Sequence, residues 1–243
     1  MLRVDGREND QLRDCTLVRN VNRYAEGSCL ISLGYTRVYC TASVEERQPH
    51  FLLNTEQGWV TAEYRMLPRA TSERTRRENG GGLGGRTHEI QRIIGRSLRA
   101  VTDMGKLGRR TIRLDCDVLQ ADGGTRTASV VGAFVALADA CAGLAKRNVI
   151  KSWPLVGEAG AVSVGIVSGE AVLDLCYTED VGAMVDMNVV MNSQGGLIEV
   201  QGTGEGRTFT RAEHDQMLSL AWAGIQRLCE KQRTALSGVG PYA

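Results

Sequence analysis

Two short segments of this sequence place an arginine after glycines, each where a helix is predicted to begin. One is Asp122-Gly-Gly-Thr-Arg126, between a predicted strand and a long apolar segment, and the other is Gly84-Gly85-Arg86. N–H groups at a helix N-terminus lack intrahelical acceptors and therefore favour an anion, while glycine lets a ligand approach the backbone. Arginine adds planar donors that bind phosphate bidentately. Together the segments predict a pocket for one small phosphate, although the first segment alone fits a plain capped turn equally well.

Arginines without lysine are concentrated around the second segment. Residues 65–99 contain Arg65, Arg69, Arg74, Arg76, Arg77, Arg86, Arg92, Arg96 and Arg99. The glycine-rich segment Gly80–Gly85 within this region predicts a flexible loop. A solvated charged loop is the alternative, but guanidinium groups without lysine favour contact with a phosphate backbone.

Carboxylates are concentrated further along the chain, first in Asp174–Asp180 and then at Asp186. We expect Asp180 to lie in a hairpin turn, and Asp186 and Asn188 to share one face of the returning strand. The alternate residues of that strand would then face the core: Met187, Val189 and Met191. Carboxylates brought together in this way can hold Mg²⁺. Turn acids and a polar strand face are the alternative interpretation.

Hydrophobic periodicity predicts an α+β protein of two halves, residues 1–150 and 151–243. The first half contains short strands over residues 17–44, 58–64 and 110–119, a helix over 87–101 and an apolar helix over 128–145. The second half contains short strands over residues 162–200 and a final helix. That helix is expected to begin near Thr210, where Thr210 and Glu213 have capping-box spacing, and to end near Ser237.

Composition excludes several classes of protein. The 243 residues are 42% hydrophobic and 23% charged, and the net charge of +1 means that overall basicity gives no support for nucleic-acid binding. Seven scattered cysteines without a CxxC pair favour reduced thiols in the cytoplasm over a disulfide framework or a zinc site. The apolar stretch from Ala128 to Ala145 contains Asp139, and we predict a buried helix there, not a membrane span.

Long runs of residues, in order, resemble the ribonuclease PH family of bacterial phosphorolytic exonucleases. The resemblance extends from near the first residue to the final helix. It rests on Arg3-Val-Asp-Gly-Arg7, Glu63-Tyr-Arg-Met-Leu-Pro-Arg-Ala-Thr71, the segment Gly85–Ala100, Gln120-Ala-Asp-Gly-Gly-Thr-Arg-Thr-Ala-Ser129 and Asp186-Met-Asn-Val-Val-Met191.

The resemblance implies a role for each matching residue. It assigns phosphate binding to Arg86, Gly124, Thr125 and Arg126, and metal binding and acid catalysis to Asp180 and Asp186. It associates RNA binding with Arg69, Arg74, Arg76 and Arg77. The implied fold is an α+β pair of domains, the first similar to the second domain of ribosomal protein S5. The implied assembly is a homohexameric ring, a trimer of dimers.

The activity implied is that of a nucleotidyltransferase. Inorganic phosphate would act as co-substrate, with Mg²⁺ or another divalent cation as cofactor, in reversible 3′→5′ trimming of tRNA precursors and other RNAs, including rRNA. A non-catalytic, RNA-binding ring subunit of an exosome-like assembly is the alternative, and a metal-dependent hydrolytic nuclease is a third. Intact phosphate arginines and aspartates favour the enzyme over the non-catalytic subunit. The hydrolytic nuclease would leave the paired arginines without a role.

Overall fold

The computed structural model describes residues 3–77, 82 and 84–242. Within these residues the chain forms two β-sheets with helices packed between and against them. Much of the predicted flexible loop, namely Gly80, Gly81 and Leu83, lies outside the described residues.

The first sheet has strand order β1-β2-β3-β5-β4. Its strands are β1 (Cys15–Arg19), β2 (Gly27–Leu33), β3 (Thr36–Glu45), β4 (Trp59–Met66) and β5 (Thr111–Gln120). The first three form the predicted antiparallel meander, but β4 runs parallel to β5. A parallel pair requires a crossover connection. Helices α1 (Gly85–Ala100) and α2 (Met104–Leu107) lie in that connection, after a short 3₁₀ helix (His50–Leu52) that precedes β4.

The second sheet is antiparallel and has strand order β7-β6-β8-β9. Its strands are β6 (Ala159–Val167), β7 (Glu170–Leu173), β8 (Val185–Asn192) and β9 (Leu197–Gly204). The predicted alternation on β8 is confirmed, because Met187, Val189 and Met191 are buried whereas Asp186 and Asn188 are half-buried. The remaining elements are α3 (Thr125–Lys146), α4 (Tyr177–Gly182), α5 (Arg211–Ala235) and a 3₁₀ helix (Gly240–Tyr242).

Helix α3 forms the centre of the core. It contacts β2 and β3 of the first sheet and β6 of the second. Among the described residues this helix is long and apolar enough to span a membrane, but 83% of its most apolar 18-residue stretch is buried inside the protein. The prediction of a buried core helix is therefore confirmed. The buried cluster is continuous across both sheets, so the division at residue 150 stays a prediction.

One local prediction was wrong. Asp180 lies in the short helix α4, not in a hairpin turn. The reason is a capping box, in which the Cys176 side chain and Glu179 satisfy backbone groups at the start of the helix. The capping box predicted at Thr210 and Glu213 is confirmed at the start of α5. All seven cysteines are buried free thiols.

Two glycines of α3 provide a test of how closely this helix packs. A Cβ atom on Gly132 would lie 2.8 Å from Ile31 Cγ2 and 2.9 Å from Cys40 Sγ, whereas one on Gly143 would have no atom of the described residues within 4 Å. Both changes to alanine gain the same helix propensity, so their difference isolates packing. We expect Gly132→Ala to be less stable than Gly143→Ala by about 1–3 kcal/mol in urea unfolding. Equal stabilities would show that α3 is packed more loosely than the structure indicates.

Candidate active site

Residues from both halves of the chain line one cavity of about 330 Å³. The first half contributes Arg86 from α1 and the segment Gly124–Arg126 at the start of α3. The second half contributes Asp180 from α4 and Asp186 from β8. The structure thus brings together all six residues predicted for phosphate and metal binding. Asn188, which was expected on the same strand face as Asp186, also lines the cavity, and Ser163, Val181 and Glu205, which the sequence did not single out, complete the lining.

The start of α3 lines this cavity. Gly124 is the N-cap, in the left-handed conformation at φ 66° and ψ 24°, and within the described part of the chain it makes no side-chain capping hydrogen bond to the first turn. Free N–H groups at this end favour an anion. The buried Tyr64 hydroxyl lies 2.8 Å from Thr125 Oγ1 and thereby fixes the threonine side chain. Sequence reasoning missed Tyr64 because its partner is distant in the chain.

Backbone contacts fix the loop that precedes α3. Thr36 Oγ1 donates to the Gly123 carbonyl at 2.6 Å and accepts from the Asp122 N–H at 2.9 Å. A Cβ on Gly123 would lie 2.7 Å from the Leu175 carbonyl, in the segment that leads into α4. Glycine at this position therefore permits direct backbone contact between the phosphate-binding loop and the segment that carries Asp180.

A buried ionic network joins the same two segments. Arg13 donates to both carboxylate oxygens of Asp174, at 3.0 and 2.7 Å, and to the Asp122 carbonyl at 2.5 Å. Arg3 donates to both oxygens of Glu179 at 2.7 and 2.6 Å. Burial alone would raise the pKa of Glu179, but hydrogen bonds from Arg3 and the Cys176 N–H lower it overall. The network holds α4, and with it Asp180, against the N-terminal segment.

Like charges face each other on each side of the cavity. Burial, followed by the charge of Asp180, raises the pKa of Asp186 above its usual value. Burial, followed by the charge of Arg86, lowers the pKa of Arg126. A bound anion would relieve the arginine pair, and a bound cation would relieve the aspartate pair.

The two aspartates fit a divalent cation only as a partial ligand set. In the part of the chain that the structure describes, no group of three or more His, Cys, Asp or Glu side chains is arranged to hold a metal. Mg²⁺ commonly binds one or two carboxylates and completes its shell with water and substrate phosphates. Asp180 and Asp186, beside an anion pocket, match that mode of binding.

A second cavity of about 360 Å³ shares Arg86 with the first. It is lined by Arg76 and Arg77, two of the four arginines associated with RNA binding. The other two, Arg69 and Arg74, are exposed and line neither cavity, and Arg69 donates to the Ser72 carbonyl. The structure therefore places half of this predicted set next to the phosphate-binding arginine.

The fold and the cavity define an α+β protein whose two sheets meet at a site with arginines on one side and carboxylates on the other. Comparison with known proteins identifies its family. Domain 1 of the 3′ exoribonuclease family matches residues 11–142, and domain 2 of that family matches residues 157–224. The chain belongs to this family. It is 57% identical over 240 residues to Ribonuclease PH of Moorella thermoacetica, with 98% of this chain and 96% of that protein covered.

Solved structures share the fold at low sequence identity. The Archaeoglobus fulgidus exosome, described with RNA bound to its active site, matches at a TM-score of 0.79 and 22% identity, covering 94% of this chain and 92% of that one. Rice Rrp46 matches at a TM-score of 0.78 and 20% identity, covering 96% of this chain and 100% of that one. At such identities the likeness supports the two-domain α+β fold alone.

Burial of Asp186 and repulsion from Asp180 predict that this site residue lowers the stability of the folded protein. The raised pKa means that ionised Asp186 disfavours the folded state above that pKa, and the penalty disappears as the pH falls and the group is protonated. We expect Asp186→Asn to raise the thermal midpoint at pH 7 in chelator-treated buffer. The increase in thermal midpoint over the wild-type protein should become smaller as the pH falls towards 4.

The control is the matching acid-to-amide substitution at Glu213, which is expected to change the thermal midpoint in the opposite direction. Hydrogen bonds, the largest from Arg207, lower the pKa of Glu213 to about 2. Its ionised form therefore stabilises the fold above its ordinary pKa, and this stabilisation is lost as the pH falls towards about 2. Glu213→Gln should lower the midpoint at pH 7. An Asp186→Asn protein that melts below wild type at pH 7 would contradict the prediction.

Proposed function

We propose that this chain is a phosphorolytic 3′→5′ exoribonuclease, a nucleotidyltransferase that uses inorganic phosphate to release nucleoside diphosphates from RNA 3′ ends. One observation carries the proposal. A single cavity combines two arginines at helix N-termini, Arg86 and Arg126, with two carboxylates, Asp180 and Asp186. The 57% identity to a protein named Ribonuclease PH supports the same activity.

The alternatives leave part of this cavity without a role. A hydrolytic nuclease activates water and has no use for a second anion site beside the scissile phosphate, yet Arg86 and Gly124–Arg126 form one. A non-catalytic ring subunit has no need for aspartates placed opposite those arginines. The complete set in one cavity therefore favours the phosphorolytic enzyme.

The reaction follows from the positions of the charges. Arg86, Arg126 and the free N–H groups of α3 orient hydrogen phosphate, and one of its oxygens attacks the last phosphodiester in line with the departing 3′ oxygen. The new P–O bond forms as the old one breaks. The departing oxygen takes a proton from Asp180 or Asp186, which recovers one from the attacking hydrogen phosphate. One phosphate linkage replaces another, so the reaction is readily reversible.

The two aspartates would also hold the divalent cation. When bound, Mg²⁺ would supply positive charge against the charge that develops on the phosphoryl and departing oxygens. The raised pKa of Asp186 supports this assignment, because burial and, after it, repulsion from Asp180 both favour a positive partner. The RNA end would enter through the adjoining cavity, where Arg76 and Arg77 lie beside Arg86. Arg69 and Arg74 would contact RNA outside it.

The biological assignments extend this proposal. We infer that tRNA precursors are the principal substrates, with rRNA also processed, and that the enzyme acts in the cytoplasm as a homohexameric ring, a trimer of dimers. The seven free buried cysteines are consistent with a reducing compartment.

The identity of the released nucleotide tests the proposal. A tRNA with extra 3′ nucleotides should yield nucleoside diphosphates only when phosphate is supplied. Arg126→Ala should lower the rate of this release at least about 100-fold, because an oriented charged donor is lost. RNA binding should persist in this variant.

The control changes an arginine that precedes β5, whose opposite end leads into the phosphate-binding loop. Arg109 is exposed and pairs with Glu56, so Arg109→Ala should release diphosphates at the wild-type rate. Nucleoside monophosphates formed without added phosphate would overturn the proposed chemistry. Full activity in Arg126→Ala would remove that residue from the site.

A further inference from the structure

Gln201 of β9 lies between the two helices that carry the phosphate-binding arginines. Its side-chain oxygen accepts a hydrogen bond from Arg126 Nη1 at 2.6 Å. Its side-chain nitrogen donates to Glu89 Oε1 on α1, one turn after Arg86. A single amide of the second sheet thus joins α1 to α3 at the edge of the cavity.

A second polar pair, Glu199 with Arg96, fixes the position of β9 along α1. Glu199 and Gln201 point to the same side of β9, because side chains two apart in a strand share a face. Glu199 pairs with Arg96, which lies two helical turns beyond Glu89 on the same side of α1. Strand β9 therefore lies along α1, and its position fixes where the Gln201 amide meets Arg126.

The chemistry of an amide suits this position. Arg126 is half-buried, and burial and the nearby Arg86 charge both disfavour its positive form. The Gln201 oxygen occupies one of the five guanidinium N–H donors and leaves the others for an anion. Because the amide is neutral, it orients Arg126 without cancelling the charge that phosphate requires. A carboxylate in its place would form an ion pair and compete with the bound phosphate.

We propose that Gln201 is a positioning residue that orients the Arg126 guanidinium for inorganic phosphate through a neutral hydrogen bond. The inference rests on the proposed phosphorolytic function and extends it to a residue outside the cavity lining. Glu89 is the outermost residue of the hydrogen-bonded row that runs from Arg126 through Gln201. It holds the Gln201 amide in the orientation that presents its oxygen, and not its nitrogen, to Arg126.

Two substitutions test the hydrogen bond to Arg126 and the neutrality of the amide in turn. Gln201→Met keeps the length of the side chain but removes its hydrogen bonds, so the KM for phosphate should rise about tenfold. At saturating phosphate kcat should change much less, because Arg126 is still present and bound phosphate can itself hold its guanidinium in place. Gln201→Glu keeps an acceptor for Arg126 but adds a competing charge, and it should also raise that KM. Equilibrium dialysis of inorganic phosphate should show weaker binding to both variants.

The matched control is Gln226→Met, the same change at an exposed position of α5, which should leave the phosphate KM unaltered. Thermal midpoints of the three variants identify any loss of folding. A phosphate KM within twofold of wild type for Gln201→Met would overturn the inference, as would a fall in kcat with KM unchanged. Failure of the wild-type protein to release nucleoside diphosphates would instead overturn the proposed function, so the two failures are distinguishable.

Discussion

The guanidinium of Arg13 connects the parts of the molecule on which the site depends. It is buried, pairs with both oxygens of the buried Asp174, and donates to the carbonyl of Asp122. Removing two such charges from water costs several kcal/mol per ion, so the pair adds little net stability compared with apolar packing. Its contribution is geometric. The Arg13 guanidinium contacts both the loop before α3 and the segment before α4. The phosphate-binding and acidic sides of the cavity are therefore held at a fixed distance from each other.

The cavity concentrates charges that repel each other before any ligand binds. Burial and the charge of Arg86 disfavour the positive form of Arg126, and burial and the charge of Asp180 disfavour the ionised form of Asp186. Neither pair contributes to folding, and each is relieved by a ligand of opposite sign. The remainder of the fold compensates through apolar burial, above all by α3, which is enclosed between the two sheets. Stability and chemistry thus come from different parts of the same helix, whose apolar length forms the core and whose N-terminus forms the anion site.

Local patterns predicted most of the elements but not all of the connections. Alternation along β8 placed Asp186 and Asn188 on one face correctly, since that signal depends only on strand geometry. The turn expected at Asp180 is a helix because the Cys176 side chain and Glu179 form a capping box, a signal that lacks the usual serine, threonine or aspartate at the first position. The residues that support the site, among them Arg13, Tyr64 and Gln201, gave no local signal, because each acts through a partner far away in the chain.

Residue types and local order are enough to predict the chemistry available: arginines after glycines at helix starts, acids around a strand, and an apolar helix that must be buried. Those properties depend on residue type and on neighbours a few positions away. The tertiary fold is needed to place Arg86, Arg126, Asp180 and Asp186 around one cavity, with Arg76 and Arg77 beside it and Arg69 and Arg74 outside. The physical reason is that these side chains meet through packing of two sheets on α3 and through buried ion pairs between distant segments.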